Sequence, residues 1–177
     1  MQEAELARAI RERAYLEGDF VLRSGKRSSF YLDKYRFSTD PALLEAIGGR
    51  LAEAVREVEP DASRLAAPEL GAVPLAAAAS LASGLPFVIV RGEAKAHGTA
   101  NRLEGEFEAG ERVCLLEDVV TSGGAASEAV AALRDAGLEC SNAVCVVDRE
   151  EGGADALARL AVRLWPLFRA EDIAKAA

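Results

Sequence analysis

Residues 113–125 read VCLLEDVVTSGGA: an apolar run, two adjacent carboxylates at Glu117 and Asp118, then a short stretch of Thr, Ser and Gly. An apolar run this short, bounded by turn residues, reads as a strand buried on both faces. Working outward, the same pattern recurs. A short strand near residues 65–67 precedes a helix over 73–83. A strand over 86–90 precedes a polar segment, 91–111, and the strand 112–117 precedes a helix over about 122–136 that Gly137 ends. A strand over 143–148 follows. Apolar strands alternating with helices predict an α/β fold, a central parallel sheet flanked by helices. Ligands in such sheets bind at the carboxyl ends of the strands, which places Glu117 and Asp118 at the ligand edge of a central strand.

Ahead of this core, residues 3–16 read as an amphipathic helix with Leu6, Ile10 and Ala14 on one face. Residues 20–22 and 30–35 read as two strands of a hairpin around the polar turn 24–27. Ser38-Thr39-Asp40-Pro41 is a helix start, with capping side chains before a proline at the first helical position. Behind it Leu44, Ile47, Leu51, Val55 and Val58 form one stripe at spacings of three and four. The last residues, from about 160, read as an edge strand carrying Trp165 toward the core, and a closing helix.

The 177 residues suffice for one domain that buries a core without disulfides. Twenty-one basic against 29 acidic residues give a net charge of −8, which argues against nucleic-acid binding through a basic face. Cys114, Cys140 and Cys145 form no C-x-x-C and read as buried thiols of a reducing compartment. The first residues are charged from position 3 and lack a signal-peptide core, so a cytoplasmic location is expected. Residues 72–90 carry no formal charge and approach the length of a membrane span. Pro74, Gly84 and Pro86 instead divide them into helix, turn and strand, and no membrane partner is expected.

The chemistry of residues 117–125 has two readings. In one, the N–H groups of the Thr/Ser/Gly loop and the following helix N-terminus cradle an anion, Thr121 and Ser122 add hydroxyls, and the acidic pair binds sugar hydroxyls or a metal ion. A phosphate and hydroxyls about one nucleotide apart suggest a ribose phosphate. In the other, the segment is a plain strand–turn–helix connection whose acidic residues cap the helix. G-x-x-x-x-G-K-[ST] is absent, and no G-x-G-x-x-G follows the first long strand, which excludes the common nucleoside-triphosphate and dinucleotide loops.

The motif EDVVTSGGA resembles the phosphoribosyl-pyrophosphate (PRPP) loop of the type I phosphoribosyltransferases. Further segments narrow the resemblance to the orotate phosphoribosyltransferases. RGEAKAHGTANRLEG (91–105) is similar to their catalytic loop, SGKRSSFYLD (24–33) to the hairpin over the base, and PELGAVPLA (68–76) to the turn beneath the pyrophosphate. VVDREEGG (146–153) is similar to the segment that meets orotate. The resemblance implies a type I phosphoribosyltransferase fold in one domain, residues 1–177. Residues 1–40 and 160–177 would supply the N-terminal hairpin, or hood, over the base and the closing elements. It implies PRPP binding by Arg91, Lys95, His97, Glu117, Asp118, Val119, Val120, Thr121, Ser122, Gly123, Gly124 and Ala125, with Lys95 and His97 catalytic. Orotate would be held by Thr121 and Arg149. It further implies Mg²⁺ on PRPP and pyrophosphate oxygens and water, and a homodimer that shares the 91–105 loop between subunits. Arg91, Lys95 and the sole histidine, His97, also stand out unaided, as cations gathered in one polar stretch of an acidic chain.

The reaction so implied is Mg²⁺-dependent transfer of the 5-phosphoribosyl group from PRPP to orotate, giving orotidine 5′-monophosphate and pyrophosphate in pyrimidine biosynthesis. Two alternatives keep the PRPP loop: transfer to another base, which leaves Arg149 and the hairpin unexplained, or a regulator that senses PRPP or a nucleotide without turnover. The sequence departs from the family at Gly92, where a second basic residue is usual. Loss of one charged hydrogen bond, roughly 1.5–3 kcal/mol, predicts weaker PRPP binding, which Arg23 and Lys26 are placed to offset. Positions 69–70 are Glu-Leu, where some members carry an aromatic residue and a lysine.

Overall fold

The computed structural model describes residues 1–21, 25, 27–92 and 102–176. Among these, one sheet has the strand order β5 (Leu103–Glu104), β4 (Phe87–Val90), β3 (Arg64–Pro68), β6 (Arg112–Val120), β7 (Glu139–Asp148) and β8 (Arg163–Arg169). Neighbours are parallel except β5, which pairs antiparallel with the end of β4. The expected parallel sheet is therefore present, with β6 at its centre. A separate antiparallel hairpin is formed by β1 (Tyr15–Val21) and β2 (Arg27–Leu32).

Because strand side chains alternate between faces, β6 feeds two cores. Cys114 and Leu116 pack with Leu51 of α3 (Pro41–Val58) and Leu75 of α4 (Ala72–Ser83). Val113 and Leu115 pack with Val130 and Leu133 of α5 (Gly124–Asp135) and Leu157 of α6 (Gly153–Ala158). The α3–α4 side also takes Leu6, Ile10 and Ala14 of α1 (Glu3–Ala14) and Ile173 of α7 (Ala170–Lys175). The three cysteines are free, buried thiols in these strands, and burial pushes all three up in pKa.

The start of α3 follows the expected chemistry. Pro41 opens it, and the Asp40 carboxylate accepts from the N–H groups of Ala42 and Leu43, both at 3.1 Å. Ile47, Leu51 and Val55 are buried as expected; Leu43 rather than Leu44 completes the stripe, and Leu44 and Val58 lie half-buried on its flanks. The charge-free stretch is the α4 helix, a turn at Gly84 (φ +78°) and β4. Among the described residues no helix is long and apolar enough to cross a membrane.

Four details differ from expectation. β1 begins at Tyr15, directly behind α1. The second hairpin strand stops at Leu32, because Asp33 accepts from the Tyr35 N–H at 3.2 Å and starts a short helix, α2 (Lys34–Ser38). Strand β6 continues through Val120, so the acidic pair lies inside the strand and not at its end. Strand β5, inside the polar 91–111 segment, and α6 had no signal: one is two residues long, the other starts on a Gly-Gly pair.

Helices α3 and α4 approach closely at Gly48. A Cβ there would lie 2.5 Å from the Ala78 Cβ and 2.8 Å from its carbonyl carbon. Alanine normally favours a helix over glycine by about 1 kcal/mol, but overpacking against backbone costs roughly 1–3 kcal/mol. Gly48→Ala is therefore expected to lower stability despite its better propensity, as a reduced urea midpoint. An unchanged or raised midpoint would show that α4 moves aside freely.

Candidate active site

Near the carboxyl end of β6, Glu117 and Asp118 are 6% and 2% exposed. Adjacent strand residues point to opposite faces, and Asp118 shares the parity of Leu116, on the face covered by α2, α3 and α4. There its Oδ2 meets Lys34 Nζ at 2.8 Å, while Oδ1 accepts from the Val119 N–H at 2.6 Å. Gly71, in the turn before α4, leaves room for this pair: a Cβ there would collide with Asp118 Oδ2 and sit 3.1 Å from Lys34 Cε. Burial opposes the Lys34 charge, but Asp118's charge and hydrogen bond outweigh it and raise the lysine pKa. Glu117 has no such partner: burial, then the charge of Asp118, push its carboxyl up to about 8.

Beyond β6, Gly123 takes φ +80° and opens α5. The turn is tight because Gly123 and Gly153 meet backbone to backbone: a Cβ on Gly123 would lie 3.0 Å from Gly153 Cα, and one on Gly153 would strike the Val120 side chain. No side chain caps α5, so neither acidic residue has the capping role that the plain-connection reading gave them. Thr121, Ser122, Gly124 and Ala125 are exposed around this helix start, where uncapped N–H groups and the helix dipole suit an anion. Val119 and Val120 belong to the sheet, paired with Val147 and Asp148, and Val120 is buried. The Val119 N–H and the Val120 carbonyl are already engaged, by Asp118 and by the Arg149 N–H.

Arg149 follows β7, and its N–H donates to the Val120 carbonyl at 2.9 Å, which sets it beside Thr121. Its side chain is 7% exposed. The guanidinium lies over the Phe30 ring of the hairpin, 4.7 Å from the centroid, and one nitrogen pairs with Glu151 Oε1 at 2.9 Å. Phe30 in turn stacks on Tyr15 at 5.0 Å. The Nε of Arg149 is buried with no hydrogen-bond partner. A cavity of about 470 Å³ borders Arg149, Phe30, Ser28 and Arg27 on the α7 side. Glu117, Asp118 and Thr121 do not line it, so it touches the site through Arg149 and is not the ribose end.

On the opposite flank, Arg91 and Gly92 are clasped to their surroundings. The Gly92 N–H donates to Glu69 Oε1 at 2.8 Å, and Arg91 reaches Glu104 at 3.4 Å and Glu69 at 3.9 Å. Arg102 donates to the carbonyls of Arg91 and Gly92 at 3.2 and 3.1 Å, tying the far end of the 91–105 segment to its near end. Lys95 and His97, and likewise Arg23 and Lys26, lie outside the described residues. A Cβ on Gly92 would meet Glu69 Oε1 at an ordinary 3.5 Å, so the fold does not demand glycine there.

Among the described residues no group of three His, Cys, Asp or Glu side chains could enclose a metal ion. The acidic pair supplies two carboxylates, one already engaged by Lys34. That donor set suits a hard cation held chiefly by ligand oxygens and water. Sequence reasoning missed Lys34, and it had Glu69, Gly71 and Glu151 only as members of the segments 68–76 and 146–153, without individual roles. Lys34 directly follows the Asp33 cap, a local helix-start signal that would have turned its side chain away from the hairpin.

The Glu117 carboxyl makes stability depend on pH. Its folded pKa is raised, so the unfolded state ionises first as pH rises, and stability falls between the ordinary carboxyl range and about 8. Glu117→Gln removes this slope. The difference in unfolding free energy, variant minus wild type, is expected to grow in the variant's favour from pH 5 to pH 8, measured by urea titration. A constant difference would show that Glu117 finds a partner in solution.

With this geometry in hand, residues 37–160 match the phosphoribosyl transferase domain family. The chain is 42% identical over 172 residues to the orotate phosphoribosyltransferase of Methanocella arvoryzae, covering 97% of both chains. It is 47% identical over 156 residues to that of Halobacterium salinarum, covering 88% of this chain and 87% of the relative. The orotate phosphoribosyltransferase of Mycobacterium tuberculosis H37Rv, solved in complex with PRPP, superposes with a TM-score of 0.82 at 30% identity, covering 97% of this chain and 98% of the other. The acidic pair on β6, the glycine turn into an uncapped helix and the buried arginine beside it thus stand in a chain that belongs to the orotate phosphoribosyltransferases.

Proposed function

We propose that the chain transfers the 5-phosphoribosyl group from PRPP to orotate, giving orotidine 5′-monophosphate and pyrophosphate in pyrimidine biosynthesis. The observation that carries the choice of base is Arg149. A guanidinium this buried needs compensation, and Glu151 supplies one partner while Nε has none. An incoming carboxylate completes the set with a charge-assisted bond, and orotate differs from uracil by a carboxylate. Thr121 is adjacent through the Arg149–Val120 backbone bond and joins it at the base.

The donor side uses the other half of the site. The N–H groups and hydroxyls of residues 121–125 take the 5′-phosphate at the α5 start, and Glu117 and Asp118 accept from ribose hydroxyls. As the C1′–O bond to pyrophosphate loosens, positive charge builds on the ribose and the orotate ring nitrogen attacks from the opposite face. Arg91, Lys95 and His97 stabilise the negative charge on the departing pyrophosphate. Mg²⁺ carried by PRPP and pyrophosphate oxygens and water would supply further neutralisation. We assign the active form to a cytoplasmic homodimer that shares the 91–105 segment between subunits. Exposed Leu70, in the turn before α4, leaves apolar surface beside the site, and exposed Leu81 adds to it toward the far end of that helix; a second copy would cover both.

The test is orotate consumption, followed by ultraviolet absorbance with PRPP and Mg²⁺, beside uracil, adenine, guanine and hypoxanthine. Turnover is expected on orotate alone; turnover on a different base alone rejects the assignment. Arg149→Gln is expected to raise the orotate KM roughly ten- to a hundredfold, the worth of one charged hydrogen bond, with little change in the PRPP KM. Equal effects on both substrates would remove Arg149 from base recognition. Gly92→Lys, sterically allowed, restores a cation and is expected to lower the PRPP KM by about tenfold. An unchanged KM would show that the missing charge is made up elsewhere.

A further inference from the structure

The buried acidic pair has a counter-ion that comes from neither the PRPP loop nor the turn beneath it. Lys34 reaches in from α2, directly behind the base-covering hairpin, and pairs with Asp118 at 2.8 Å. Its side chain is 36% exposed against 2% for Asp118, so the ammonium stands at the boundary between the carboxylate and open solvent. Asp118 is fixed on both oxygens, by Lys34 on one and by the Val119 N–H on the other. A carboxylate has about four lone-pair sites, so acceptor capacity remains in a set orientation. Gly71 makes the arrangement possible, since any side chain there would displace Asp118 and crowd Lys34.

Resting on the reading of PRPP as donor, we propose that Lys34 is a positioning residue for that donor: it orients Asp118 toward the ribose hydroxyls, in the space that Gly71 leaves open. Without the ammonium, a buried carboxylate beside a second one either takes a proton or swings toward solvent, and either change removes an acceptor from the ribose. With it, the hood element that covers the base also sets the sugar site, so acceptor and donor recognition share one short helix.

The experiment measures PRPP affinity directly, by calorimetric titration of the full-length protein in Mg²⁺, together with KM for PRPP and for orotate. Lys34→Met is expected to weaken PRPP binding at least about tenfold while the orotate KM stays within about threefold. Lys34→Arg keeps the cation and is expected to remain within about threefold of wild type. Gly71→Ala keeps the lysine but presses on the same Asp118 oxygen that Lys34 holds and crowds Lys34 Cε, so it is expected to reproduce the PRPP-selective loss. Should Lys34→Met fail to fold, Gly71→Ala and Lys34→Arg decide. Unchanged PRPP affinity in a folded Lys34→Met or Gly71→Ala protein overturns the inference, as does loss of both substrates to the same degree. Wild-type protein that does not bind PRPP would overturn the donor reading, and this inference with it, before any variant is made.

Discussion

Burying two neighbouring carboxylates inside a central strand is electrostatically unfavourable, and the architecture around β6 is arranged to tolerate it. Alternation along the strand sends Glu117 and Asp118 to opposite faces, which limits their direct repulsion. Asp118 receives Lys34 as counter-ion. Glu117 receives none and keeps its proton to about pH 8. On the proposed function, the cost is carried because the pair offers acceptor groups to a ligand's hydroxyls. The pair thus sets two requirements for everything nearby: a cation must enter from outside the sheet, and the surrounding backbone must come close enough to exclude water.

The second requirement explains where glycines are indispensable. Gly71 brings the turn before α4 against Asp118, and Gly123 and Gly153 let the turn after β6 touch the start of α6. In each case a single methyl group would push apart two segments that together wall the site. Elsewhere the chain is less demanding: Gly92 has ordinary space around it, so packing does not require its lack of a side chain.

The fold was legible because its signals are local or periodic. The apolar run at 113–116, the Asp40-Pro41 helix start and the stripe through Ile47, Leu51 and Val55 each announce one element, and their alternation announces the sheet. The acidic pair and the glycine turn stood out in the sequence for the same reason. Contacts distant in sequence were not. Nothing in the neighbourhood of Lys34 says that it meets a carboxylate at position 118, and nothing near Glu69 says that it will hold the Gly92 N–H. The continuation of β6 through Val120 was hidden because charged residues within a strand read as its end. Only pairing with β7 as far as Asp148 shows otherwise.

The two halves of the site differ in what recognises the ligand, and this difference has consequences for how the protein can change. The 121–125 turn offers mostly backbone N–H groups at a helix start, so its chemistry depends on chain conformation and survives many side-chain substitutions that keep the glycine contacts. The base side depends on side chains stacked in a column, Tyr15 on Phe30 and Phe30 beneath Arg149. A planar guanidinium held over a ring keeps its hydrogen-bonding edge in a fixed plane, which suits a planar carboxylated base and disfavours one without the charge. On the proposed function, acceptor specificity rests on a few replaceable side chains mounted on the hairpin and the β7 exit, while donor binding is built into the sheet. Lys34 is where the two would meet under that proposal, since the helix that begins at the hairpin's end also supplies the cation that pairs with Asp118.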